Sequence, residues 1–300
     1  MVSVSSLILT DSSLITDCSG KASHDDIFPT EIPHSPANTR PKLEIRVLPP
    51  LGRPLPLDTC PRNDTVEKLA DLLDDKHVIH VRGTPSSGKT TLASLLWMHY
   101  QERGHRVVFV PYWIDIQDPH EFLAQLCTLA GIPGVNASNI LSMDDIIFII
   151  DEAQSSYGDN LFWLQVVKYQ SDRHCGPKIC LFASYGSPIT GSPTTGQPNT
   201  GHQTVPPRFT PVKLGPSQRV SLTVSKIATN PNVCLFYNQK EYDDVLKRLC
   251  SRSWSICNFS SDAGAYLYSI TNGHPGAVSS LMSYVYTVCV SYIRSSHLRY

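Results

Sequence analysis

Lys89 and Thr90 close the run Gly83-Thr84-Pro85-Ser86-Ser87-Gly88-Lys89-Thr90, which fits the Walker A pattern G-x-x-x-x-G-K-[ST]. Glycines at the two ends of such a run let the backbone curl closely around a phosphate. Successive amides and the N-terminus of the following helix then point at negative charge. Lys89 is placed to reach the outer phosphates of a nucleotide and Thr90 to hold magnesium. Thr91 completes the candidate phosphate-binding set in the first helical turn.

A second constellation lies about sixty residues on. Asp144-Asp145 lead into Ile146-Ile147-Phe148-Ile149-Ile150, which ends in Asp151-Glu152-Ala153-Gln154. A continuous apolar run of this length reads as a buried parallel strand. Carboxylates at its C-terminal end sit where ligands gather in open parallel sheets. Asp151 fits the Walker B role of orienting magnesium through its water shell. Glu152 is placed to polarise a water for attack on a terminal phosphate, so the pair points to hydrolysis as well as binding.

Alternating elements must position these groups. The spacing predicts a helix over 64–74, a strand over 77–81, the phosphate loop, a helix ending near Arg103-Gly104, and a strand over 106–112. Then come a helix over 119–130, the 146–150 strand, a helix over about 160–170 and a strand over 178–183. That strand ends at Ser184. Strand and helix in alternation predict an α/β parallel sheet with right-handed crossovers, and the phosphate-loop match adds the expectation of a P-loop NTPase fold of three αβα layers. Residues 186–217 turn to Gly, Pro, Ser and Thr, which reads as a flexible excursion. Residues 219–224 alternate with period two, as an edge strand would. Helical spacing over 239–252, 261–270 and 275–293 predicts a small C-terminal lid. The resulting division is a poorly ordered leader at 1–40, a Pro-rich extended segment at 41–62, the NTPase domain at 63–228 and the lid at 229–300.

A chain of 300 residues, 41% hydrophobic, can bury a full core. Its formal net charge of −1, with basic residues scattered, gives no support to a nucleic-acid surface. Nine widely spaced cysteines without a C-x-x-C pair read as reduced thiols. The N-terminus lacks a positive n-region, and no stretch reaches the apolar length of a membrane span. The expectation is a cytoplasmic protein, for which the sequons at Asn63, Asn136 and Asn258 carry no meaning.

The phosphate loop, the Asp151-Glu152 strand and the polar Ser184 ending the next strand recur in this order in the additional-strand (ASCE) class of P-loop ATPases. The chain resembles an AAA+ or STAND-type ATPase over roughly residues 60–295. Thr271-Asn272-Gly273-His274-Pro275-Gly276-Ala277 resembles the Gly-x-Pro element that opens a lid helix in STAND proteins. There the turn lies over the nucleotide, which makes Pro275 a candidate nucleotide contact. The resemblance implies that Ser184 is a sensor for the attacking water or terminal phosphate; a helix-capping serine is the competing reading. Arg62 resembles an arginine preceding the first helix and lying close to adenine; a solvated arginine is its alternative. The chain departs from STAND proteins after the fourth strand, where Ser184-Tyr185-Gly186 replaces an arginine. Arg173 stands where some AAA+ rings carry a trans-acting arginine but reads equally as a helix-terminal charge. His274 is the lid's substitute candidate for a sensor arginine.

The resemblance implies a magnesium-dependent ATPase, with catalytic Lys89, Glu152 and Ser184, coupled to a conformational change and open to a protein partner or self-association. Adenine is favoured by default, since no N-K-x-D element follows the 146–150 strand. A signalling switch with negligible turnover is the alternative reading, and a P-loop kinase a lower-ranked one.

Overall fold

The computed structural model describes residues 55–56, 58–114, 118–184, 210–252 and 260–297. The chain divides into two compact units, 1–45 and 46–300, and the described residues all belong to the second. The 1–40 leader, most of the 41–62 segment, Asn258 and residues 185–209 of the excursion lie outside the described residues.

Five strands form one all-parallel sheet: β1 (Val78–Arg82), β2 (Arg106–Val110), β3 (Ile146–Ile150), β4 (Lys178–Ala183) and β5 (Arg219–Val220). Their order is β2-β3-β4-β1-β5, so β4 is an additional strand between the one that feeds the phosphate loop and the one that ends at Asp151. The apolar sequence of β3 follows from burial on both faces, since all five of its residues are buried.

Period-two alternation sends Ile79, Val81, Ile147, Ile149, Cys180 and Phe182 to one face. There they pack with α1 (Asn63–Lys76) and α2 (Lys89–Glu102). On the other face His80 meets the rings of Tyr157 and Trp163, and its Nε2 lies 3.0 Å from the Tyr157 hydroxyl. Trp113 joins Phe162 of that layer to Phe122 of α3 (Pro119–Leu129). The Asp118 side chain caps α3 by accepting from the amides of His120 and Glu121, with Pro119 at the first helical position. The helix expected at 160–170 is a π-helical turn at Phe162–Val167 running into α4 (Lys168–Arg173).

Two expectations need correction. The edge strand does not run over 219–224: only Arg219 and Val220 pair with β1, because β1 gives way to the phosphate loop beyond Arg82. Ser221 and Leu222 pair instead with the 234–236 segment, accepting from the amides of Leu235 and Phe236. Nor does the excursion remain unpacked to 217. Thr210 and Leu214 are buried, and Gln218 Nε2 ties the returning chain to Val78 O and Ser171 Oγ.

The lid consists of α5 (Gln239–Arg252), α6 (Ser261–Thr271) and α7 (Pro275–His297). Tyr242, Val245, Val278 and Met282 share a small core with Cys60, and the Tyr242 hydroxyl donates to Gly264 O at 2.8 Å.

Candidate nucleotide site

The phosphate loop links β1 to α2, with close approach at both ends. A side chain on Gly83 would place its Cβ 2.3 Å from Ser87 Oγ and 2.5 Å from Leu235 Cδ1. Gly88 is the N-cap of α2 at φ 85°, a left-handed conformation that a β-carbon penalises. No side chain caps α2 and its first turn carries no acid, so its leading amides are available to an anion.

Lys89 is buried and donates from Nζ to Thr84 O at 2.8 Å; Ser87 Oγ donates to the same carbonyl at 2.7 Å. Burial holds the Lys89 ammonium below its ordinary range, and the negative charges of Glu152 and Asp151 oppose that shift. The loop carbonyl thus occupies the ammonium in the position from which it could turn to a phosphate.

At the end of β3 the Asp151 amide donates to Val110 O, and the side chain is 3% exposed. Burial pushes its carboxyl up. Hydrogen bonds from the Thr90 hydroxyl and the Glu152 amide pull the other way. Asp151 Oδ1 is buried with no hydrogen-bond partner among the described residues. A carboxylate oxygen left unpaired beside a threonine hydroxyl suits a hard cation or its water shell. Among the described residues no cluster of three or more His, Cys, Asp or Glu is placed to hold a metal.

Glu152 turns the chain at φ 46° and starts a short 3-10 segment, Ala153–Gly158. Its carboxylate accepts from Gln154 Nε2, while Gln154 Oε1 accepts from the Ser184 amide at 2.9 Å. Ser184 is therefore brought to the site at the end of β4, with its backbone engaged by Gln154.

The lid meets the loop directly. Gly276, at the start of α7, donates its amide to Ser86 O at 2.9 Å, and Pro275 packs on Gly88. His274 Nδ1 accepts from the Ala277 amide at 3.2 Å, which leaves the proton on Nε2, 3.4 Å from Thr84 Oγ1. Pro275 thus touches the phosphate loop itself.

Arg62 is not solvated. It is 4% exposed, with Nη1 donating to Leu235 O at 2.9 Å and Nη2 to Cys234 O and Phe236 O at 3.2 Å each. It also pairs with Glu241 of α5 at 3.2 Å and lies over the Tyr237 ring. Its guanidinium clamps the 234–236 segment and α5 to the start of α1. Sequence reasoning missed both this clamp and Gln154. The only signal for Gln154 was its place two residues after Glu152.

Residues 62–146 match the family model nSTAND3, described as Novel STAND NTPase 3. No curated protein matches the chain. The family match takes in α1, β1, the phosphate loop, α2, β2 and α3, and ends where β3 begins. The parallel strands beyond it are consistent with a P-loop NTPase fold, and the matched segment is similar to a STAND NTPase.

Proposed function

We propose that this chain binds ATP with magnesium, hydrolyses it, and registers the bound nucleotide through its lid. The observation that carries the reading is the unpartnered buried Oδ1 of Asp151 beside Thr90, facing the same loop as Lys89. Lys89 would exchange Thr84 O for a phosphate oxygen, and the free amides of the α2 N-terminus would meet the remaining charge. Magnesium, when bound, would supply charge to the β- and γ-phosphate oxygens, with Thr90 and Asp151 holding it or its waters. Glu152 would take the proton of the attacking water, and Ser184 would orient that water or the terminal phosphate. The contacts of Pro275, Gly276 and His274 on the loop give the lid a direct means of sensing what the loop holds.

A switch with negligible turnover is the second reading, favoured by the packing of the lid on the loop that must open to phosphate. Titration of the chain with ATP, with and without magnesium, tests the metal assignment. Affinity should drop on chelation in the wild type and be insensitive to chelation in Asp151→Asn. Equal affinity in all conditions would contradict it.

A further inference from the structure

Glu152 is held by one neighbour that the hydrolytic assignment does not use. Gln154 lies two residues on, in the 3-10 turn that follows β3, and its amide bridges two groups of opposite character. The Ser184 backbone N–H can only donate, so it must face Oε1, at 2.9 Å. That leaves Nε2 to donate to the Glu152 carboxylate, which can only accept when ionised. A carboxamide, with its acceptor at one end and its donor at the other, satisfies both partners at once.

The backbone below is pinned separately. Ser155 Oγ donates to Glu152 O at 2.8 Å and itself accepts from the Trp113 amide at 3.0 Å. Residues 153–158 are thus fixed without help from Gln154, whose amide acts on the carboxylate and on the end of β4.

We propose that Gln154 is a positioning residue for hydrolysis, aiming the Glu152 carboxylate by a hydrogen bond whose other end is anchored on the adjacent strand. The proposal rests on the reading of Glu152 as the base. Because the amide spans the ends of β3 and β4, any displacement at Ser184 is carried to the Glu152 carboxylate through one side chain. Gln154 touches neither the phosphate loop nor Asp151 in the described contacts, so nucleotide affinity should not depend on it.

The test compares steady-state phosphate release and ATP affinity in wild type, Gln154→Ala, Gln154→Glu, Glu152→Gln and the double variant Glu152→Gln with Gln154→Ala. Gln154→Glu keeps an acceptor for the Ser184 amide but replaces the donor by a second carboxylate facing Glu152, so it perturbs the Glu152 end while leaving the tether to β4 in place. Both Gln154 variants should lose about ten- to a hundredfold in kcat with ATP affinity and KM unchanged. Adding Gln154→Ala to Glu152→Gln should cost no further turnover. Wild-type kcat in Gln154→Glu, while Glu152→Gln is inactive, would overturn the role of Gln154 and leave Glu152 as base. Wild-type turnover in Glu152→Gln, or none in the wild type, would remove the base and the proposal with it. Loss of activity in Gln154→Ala alone, accompanied by a lower unfolding midpoint, would show a tether between strands and also overturn it.

Discussion

Lys89 and Asp151 are both buried, charged and set where a ligand would neutralise them. Burial lowers the proton affinity of the one and raises that of the other, which means that the fold disfavours both charges in the nucleotide-free protein. Residues placed for function commonly reduce stability in this way. Lys89→Met should therefore abolish measurable ATP binding while raising the midpoint of urea unfolding; a lower midpoint with binding intact would contradict both halves. The places of Gly83, Gly88 and Lys89 in the loop and of Asp151 and Glu152 at the end of β3 were legible in the sequence because each answers to a local requirement of spacing or backbone shape. Arg62 and Gln154 were not. The partners of Arg62 lie more than 170 residues away, and those of Gln154 depend on which strand stands beside β3.

At the scale of elements, β3 was legible from its continuous apolar run and the three lid helices from their periodicity. The short β5 was overestimated, since period two says that a segment can pair but not how far its neighbour extends. The packed return at 210–218 was hidden by composition: its anchors are single residues, Thr210, Leu214 and Gln218, in a polar setting. The lid is joined to the start of α1 by the exposed Lys240–Asp64 pair, by a hydrogen bond from Thr65 to Glu241 and by the Arg62–Glu241 pair, with side chains 3% and 6% exposed. Removing one partner strands the other as a buried charge. Arg62→Ala should cost about 3–5 kcal/mol in chemical unfolding, and Arg62→Leu with Glu241→Leu appreciably less. Equal losses in the two variants would show that the pair acts through packing alone.

For the whole molecule, the His80 imidazole contributes to the acid response. It is fully buried against Tyr157 and Trp163, and burial pulls its pKa from 6.5 down to about 3. The unfolded chain therefore binds a proton between pH 6.5 and about 3 that the folded protein refuses. Stability contributed by the neutral ring is complete above pH 6.5 and declines on acidification, by up to ~1.4 kcal/mol per pH unit from this group. His77 and His99, also lowered by burial, act in the same direction. Urea unfolding at pH 7.5 and pH 5 should show a marked loss in the wild type and a smaller one in His80→Asn. An unchanged pH dependence in the variant would contradict this assignment.

In the proposed function the sheet, with β4 between β1 and β3, sets the Glu152 carboxylate near the phosphate loop, where it would act on bound ATP. Phosphate release from ATP with magnesium, measured together with ATP binding for wild type and Glu152→Gln, tests it most directly. Turnover is expected in the wild type, and in Glu152→Gln a loss of about a hundredfold or more with binding retained. Undiminished turnover in Glu152→Gln, or tight binding without turnover in both, would contradict it.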